Sequence, residues 1–238
     1  MIRLHDRTYR VVVEYSSIEE ALAAAEAQVA SGHGLADTGF WGIVATVKTD
    51  SELVERYADR IAAIDQTAFA QWALLTVSMA IGTLLAFLGT AAGLVLVSVS
   101  YPLEGLSAVV AFYLGFGALL TSTHALGHLI VGRILNIQFT RWFVASLVRP
   151  QPGVKIDYST YLRAPATSRA WMHASGAIVT KIIPFALLGA ASAAGLPTWA
   201  VIGLGLIGVV MIITDVVWST SSSDWMKFRR EMKFAQMS

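Results

Sequence analysis

The chain has 238 residues, of which 55% are apolar and only 14% are charged, and its mean hydropathy is +0.62. These values are typical of a polytopic α-helical membrane protein, and a net charge of +1 provides no field that would favour nucleic acid. The chain has no cysteine, so disulfides, thiolate catalysis and cysteine-ligated zinc are excluded. Any bound metal must therefore use histidines and carboxylates.

Residues 1–67 predict a small cytoplasmic α+β domain. Residues 9–15 and 40–47 are rich in valine, isoleucine and aromatic side chains, which favours two strands. A unit this short has little core of its own, so we expect it to dock on the membrane domain, on a second copy of the chain, or on both. The domain has either a structural role or a regulatory role in which it controls the access of substrate.

Two helices are predicted between and after those strands. The first begins near Ser17, runs through alanine-rich sequence and ends near Gly32. The second covers 52–65, with Asp50 or Ser51 as its N-cap.

Residues 68–220 predict a membrane domain of about four transmembrane helices. From Ala68 to Gly132 there is no lysine or arginine and Glu104 is the single acid, a run too long for one span of about 20 residues. Tyr101-Pro102 begins the obvious break. The four predicted spans are approximately residues 69–98, 106–136, 169–195 and 198–220.

The distribution of basic residues predicts the orientation. The loops at 99–105 and 193–198 contain no lysine or arginine, whereas residues 133–169 and the tail at 221–238 are rich in these residues, and the N-terminal domain also contains several of them. We therefore expect an integral, multi-pass membrane protein with both termini, including the basic tail, in the cytoplasm.

Residues 137–165 predict a membrane-associated β-hairpin. Residues 137–144 and 154–162 alternate between apolar and polar side chains, and the turn signal Pro-Gln-Pro-Gly lies at 150–153. An open hairpin edge can pair with an extended substrate segment. The alternative is an amphipathic hairpin that lies on the lipid headgroups.

His124 and His128 form the most informative pattern in the chain. On a helix, residues four apart share one face, so the two imidazoles can bind one metal ion. The local sequence His-Ala-Leu-Gly-His matches the zinc-binding pattern HExxH except that Ala125 replaces the glutamate. The alternatives are two core histidines bonded to neighbouring helices or a haem site, but one haem iron is not ligated by two imidazoles of one helix.

Asp215 is the predicted third ligand. It follows an apolar run, where a carboxylate needs a cation, a metal or a proton, and it is predicted to lie at a membrane depth similar to that of the two histidines. Two histidines and one carboxylate leave one zinc position open, which is the catalytic arrangement. Asp224 and His173 are the other candidates for the third position.

Three segments, in this order, together resemble the site-2 protease family, intramembrane zinc proteases of the M50 type. Residues 124–128 match its HExGH pattern, residues 175–180 resemble its GPxxN helix with Ala177 and Thr180 in place of proline and asparagine, and Asp215 matches its third-ligand aspartate. The resemblance covers roughly residues 106–220. It implies a Zn²⁺ cofactor and hydrolysis of peptide bonds in transmembrane protein or peptide substrates near the cytoplasmic face of the bilayer.

Ala125 departs most from the family pattern. The resemblance implies that the missing glutamate would move a proton between water and the leaving amine, and alanine can do neither. We therefore expect metal binding without cleavage. Ala125 is either an engineered change in a protease, which we favour because the ligands remain, or a feature of a natural pseudoprotease that binds zinc and membrane-protein substrates.

Three further residues are predicted to bind or position the substrate. Thr180 stands at the asparagine position and could bond a substrate carbonyl, Lys181 either pairs with Asp215 or orients substrate, and His173 lies at the site entrance or supports a ligand. A metal transporter would need acidic residues on both sides of the site, and Glu104 is the one acid in the outer half, which argues against transport.

Overall fold

The computed structural model describes residues 15–145, 151–217, 219–220 and 223–236, and these are mostly helical. Contacts divide the chain into two compact units, Met1–Gln71 and Trp72–Ser238.

The first unit is built from helices in its described part. They are α1 (Tyr15–Ala30), α2 (Phe40–Val47) and α3 (Ser51–Trp72). The predicted helix ending near Gly32 is confirmed, and Asp50 caps α3 by accepting a hydrogen bond from the Glu52 amide at 2.8 Å. The core includes the fully buried side chains of Ile18, Leu22, Phe40 and Ile61. Arg60 links α3 to α1 through Glu26 at 2.7 Å and through Glu19.

The predicted strand at 40–47 is wrong, because this segment is α2. Phe40, Val44 and Val47 are buried, and their spacing of four and three residues places them on one helical face. Helical burial of that face outweighs the strand preference of the valine and isoleucine side chains. The other predicted strand, 9–15, lies outside the described residues except for Tyr15, which begins α1.

Four apolar helices dominate the second unit, and by length and composition they can cross a membrane. The chain is thus a membrane protein by this measure, as predicted. The candidate spans are Met79–Val99, Gly105–Ile134, Ala166–Ala193 and Thr198–Asp215. The helices are α4 (Met79–Val99), α5 (Gly105–Ile134), α6 (Tyr158–Arg163), α7 (Ala166–Ala186), α8 (Leu188–Ala193), α9 (Thr198–Val217) and α10 (Asp224–Ala235).

A three-stranded antiparallel sheet interrupts these helices. Its strands are β1 (Leu75–Ser78), β2 (Phe139–Val144) and β3 (Pro152–Ile156), in the order β1-β2-β3. The predicted hairpin pairing of β2 with β3 is confirmed.

The sheet corrects two predicted boundaries. The first span begins at Met79 rather than at residue 69, because residues 75–78 pair with β2 and Ser78 then caps α4. The second hairpin strand ends at Ile156 rather than at 162, because Asp157 accepts a hydrogen bond from the Ser159 amide at 3.0 Å and starts α6.

Glycines allow the first two spans to cross closely. An added Cβ on Gly115 would lie 2.7 Å from the Gly93 carbonyl oxygen and 2.9 Å from the Val97 amide nitrogen. Both contacts are with backbone atoms, which cannot move aside as a flexible side chain does. This close approach of small residues is a common way to pack membrane helices.

We expect Gly115→Ala to separate α4 from α5 and to lower the free energy of unfolding by about 1–3 kcal/mol, the usual cost of overpacking. Gly117→Ala is the matched control, because an added Cβ there meets nothing within 4 Å. Unfolding midpoints of both variants in the same detergent test the prediction. Equal stability of the two variants would contradict it.

Candidate metal centre

Two helices that are far apart in the sequence bring three candidate ligand atoms together. His124 and His128 lie on α5, and Asp224 is the first residue of α10. The Asp224 Oδ2 atom lies 3.3 Å from His124 Nε2 and 3.1 Å from His128 Nε2, and one ligand atom from each residue falls within 4.8 Å of the others. Tetrahedral zinc with bonds of 2.0–2.1 Å separates its ligand atoms by about 3.3 Å, which both histidine–aspartate distances match. The residue types are also ones that zinc binds.

The hydrogen bonds of His128 determine which of its nitrogens faces the site. Nδ1 lies 2.8 Å from the Met172 carbonyl oxygen, which can only accept, so Nδ1 carries a proton and donates it. In the neutral imidazole, Nε2 then presents a lone pair to a carboxylate oxygen. Two acceptors at this distance require a cation between them, either a proton or a metal ion. An imidazole held through its other N–H is also the usual arrangement of a metal-bound histidine.

Glycines on α5 and α7 make room for this ring. An added Cβ on Gly176 would lie 2.4 Å from His128 Nε2, so a larger residue there would displace the imidazole. An added Cβ on Gly127 would lie 3.3 Å from the Gly176 Cα, which shows how closely the two helices approach. The predicted glycine-containing helix at 175–180 therefore forms the wall behind the histidine pair.

The ligands line a cavity of about 760 Å³. Ala125, although fully buried, lies on its wall beside the two histidines. The hairpin forms another part of the wall, through residues of β2 and β3 that include Phe139, Gly153 and Val154.

Asp215, the predicted third ligand, does not lie with the two histidines in the structure. It forms an ion pair with Lys181 of α7, and among the described residues the group within metal-binding reach of His124 and His128 contains Asp224 instead. The lysine supplies the cation that a carboxylate at this depth requires. The pairing of these two residues is one of the two roles predicted for Lys181.

Asp224 is held as an anion. When a proton rather than a metal ion lies between the histidines and this carboxyl, burial by itself raises the carboxyl pKa, but hydrogen bonds from His124 and His128, together with the charges of His128 and Lys227, outweigh burial and bring the pKa well below its usual range. Lys227 donates to the second oxygen, Oδ1, at 3.2 Å. That contact leaves Oδ2 directed at the histidines.

The other predicted substrate residues lie near the ligands. Lys181 and Thr180 line a second cavity of about 630 Å³ that also borders His124. The Thr180 hydroxyl donates within its own helix, to the carbonyl oxygens of Gly176 and Ala177. His173 lines the larger cavity and bonds through Nε2 to the Tyr161 hydroxyl at 2.9 Å.

Sequence reasoning missed a buried network beneath the site. Glu231 of α10 is fully buried and accepts hydrogen bonds from Arg169 Nε at 2.7 Å and from the Tyr161 hydroxyl at 3.0 Å. Burial, followed by the Glu231 charge, raises the pKa of Tyr161 well above its usual value, so the phenol keeps its proton. The sequence pattern that could have predicted this network is the spacing of Asp224, Lys227 and Glu231, which places three charged side chains on one face of α10.

Comparison of the chain with protein-family models, curated proteins and solved structures found no match. The resemblance to site-2 proteases therefore depends on the sequence patterns alone.

Proposed function

We propose that the chain is a membrane-embedded zinc-binding protein of the site-2 protease type, which binds its substrate but does not cleave it efficiently with Ala125 in place. The observation that carries this proposal is the convergence of three ligand atoms on one point, with the His128 lone pair directed at the Asp224 carboxylate. Zinc bound by His124, His128 and Asp224 would supply Lewis acidity, which polarises a carbonyl group and makes water a stronger nucleophile.

The cavity wall supports an extended peptide as the substrate. A peptide bond within a helix is shielded, so a transmembrane segment must unwind before it can react. β3 is an edge strand of the described sheet, and several of its residues line the metal cavity. An unwound segment that pairs with this edge would lie across the cavity, beside the ligands. The proposed substrates are therefore transmembrane proteins or peptides.

The position of Ala125 supports the loss of cleavage. It lies on the wall of the same cavity as the two histidines, where a glutamate could exchange protons with water and with the leaving amine. A methyl group performs neither step, while every proposed ligand is retained. The same geometry therefore supports a natural pseudoprotease as well as an inactivated enzyme, and restoring the glutamate distinguishes them.

The proposal also includes the predicted orientation. Three basic residues of the tail, Arg229, Arg230 and Lys233, are exposed on α10, the helix that carries Asp224. The positive-inside rule places such a segment in the cytoplasm, which supports a metal site near the cytoplasmic face and cytoplasmic termini.

Metal analysis of the purified chain tests the proposal. We expect about one zinc per chain, because the three residues form one site. His128→Ala should abolish binding, since it removes one ligand and the contact to Met172. His33→Ala is the matched control, because this exposed histidine belongs to the first unit. Zinc content that is unchanged by His128→Ala, or absent from the parent chain, would refute the proposed site.

A further inference from the structure

The third ligand reaches the site from a helix that lies after the last candidate span. Asp224 begins α10, and the fourth span ends at Asp215. Its position therefore depends on how α10 is attached to the rest of the second unit, and not on the insertion of a span in the bilayer.

Charged side chains form much of the attachment of α10. Asp224, Lys227 and Glu231 recur at intervals of three and four residues, so they share one face of the helix. Glu231 is the innermost of them, with a side chain that is 0% exposed. It lies two turns from Asp224, and the rigid helix between them transmits the position of one residue to the other.

Arg169 connects Glu231 to the core of the unit. Its Nε donates to Glu231 Oε2, and its Nη1 donates to the carbonyl oxygens of Leu162 and Ala164 at 3.2 and 2.7 Å. The guanidinium therefore bridges the α6–α7 connection and α10. Removing the glutamate would leave a buried guanidinium without its anion, so the docked position of α10 would lose its main electrostatic support.

A second connection runs from Glu231 to the wall of the metal cavity. The single hydroxyl proton of Tyr161 is donated to Glu231 Oε1, because a carboxylate can only accept. His173 Nε2 must then donate to the Tyr161 oxygen, and His173 lines the cavity together with Asp224. Glu231 thus also fixes the orientation of a side chain next to the proposed ligands.

We infer that Glu231 is a positioning residue for the metal site, which holds α10 in place so that Asp224 reaches His124 and His128. This inference rests on the proposed function. Glu231 touches no ligand atom among its described contacts and acts through the helix that carries Asp224. Groups that support metal ligands typically change metal affinity by about 10–100-fold when they are removed.

A double-mutant cycle of Glu231 and Asp224 in the full chain, purified in detergent, tests the inference. Zn²⁺ affinity is measured by competition with a chelator. The visible absorption spectrum of bound Co²⁺ reports the coordination of the metal. Glu231→Ala should lower affinity by about 10–100-fold and give the Co²⁺ spectrum of Asp224→Ala. The double variant should bind as weakly as Asp224→Ala alone, because Glu231 then has no ligand to position. Arg230→Ala, on the exposed side of the same helix, is the control and should bind as the parent does.

The spectrum separates positioning from a general loss of structure. Glu231→Gln preserves the shape of the side chain and one of its two acceptor oxygens, so it should fold where Glu231→Ala does not. It should show a smaller loss of affinity than Glu231→Ala, with the same change in spectrum. Parent-like affinity and spectrum in both Glu231 variants would overturn the inference, as would losses that simply multiply in the double variant. Failure of the parent chain to bind either metal would instead overturn the proposed function.

Discussion

Ala125→Glu is expected to restore peptide cleavage, with a rate about 10²–10⁴-fold above that of the parent chain, the usual contribution of a general acid–base group. The side chain at position 125 lies on the cavity wall beside both histidines, so the new carboxylate would enter the space where water and substrate meet. Release of fluorescence from single-span apolar peptides that carry a fluorophore and a quencher, reconstituted with the protein, measures the rate.

Two further variants make this experiment specific. Ala125→Gln has nearly the same size and polarity as the glutamate but cannot accept the proton, so it should remain as slow as the parent. Ala125→Glu combined with His128→Ala should also be inactive, because a ligand is lost. If Ala125→Glu binds zinc yet cleaves none of a broad peptide panel, the protein is a pseudoprotease and its function is binding.

Asp224→Ala is expected to lower Zn²⁺ affinity strongly, whereas Asp215→Ala is expected to leave it nearly unchanged. Loss of Asp224 removes a proposed ligand, so Zn²⁺ affinity should fall by more than the roughly 10–100-fold seen when a supporting group is removed. Loss of Asp215 should leave affinity close to that of the parent, because its carboxylate pairs with Lys181. Chelator competition on the two purified variants measures both affinities.

The Asp215 variant should lose stability instead. Removing one member of a fully buried ion pair typically costs about 3–5 kcal/mol, and the loss here should be smaller because the Lys181 and Asp215 side chains are only partly buried. Lys181→Met combined with Asp215→Leu should recover most of that loss, which thermal unfolding in detergent can show. A large fall in zinc affinity on changing Asp215, with none on changing Asp224, would restore Asp215 as the third ligand and refute the centre described above.

Local patterns carried much of the correct prediction. The four apolar helices and the β2–β3 hairpin follow from hydropathy, turn residues and alternation, which are properties of short segments. The pairing of His124 with His128 follows from helical periodicity alone. The pairing of Lys181 with Asp215 was one of two alternatives because an isolated charge within the bilayer requires a partner.

Long-range choices could not be read in the same way. Asp215 and Asp224 both lie near one end of the fourth span, so predicted membrane depth could not distinguish them. It could not show that Asp215 pairs with Lys181 of α7, or that α10 places Asp224 next to the histidines. β1 was not predicted, because its pairing with β2 depends on residues more than 60 positions away in the sequence. The strand prediction for residues 40–47 was wrong for a different reason: their composition favours a strand, but the spacing of their apolar residues buries one face of a helix.

The origin of Asp224 on α10 has a consequence for biosynthesis. Asp224 follows His128 by 96 residues, a stretch that takes a ribosome about 5–20 s to translate. During that interval the nascent chain contains both imidazoles but lacks the carboxylate that completes the site and the glutamate that anchors α10. If the proposed zinc site forms, stable metal loading is therefore expected late in the maturation of this protein.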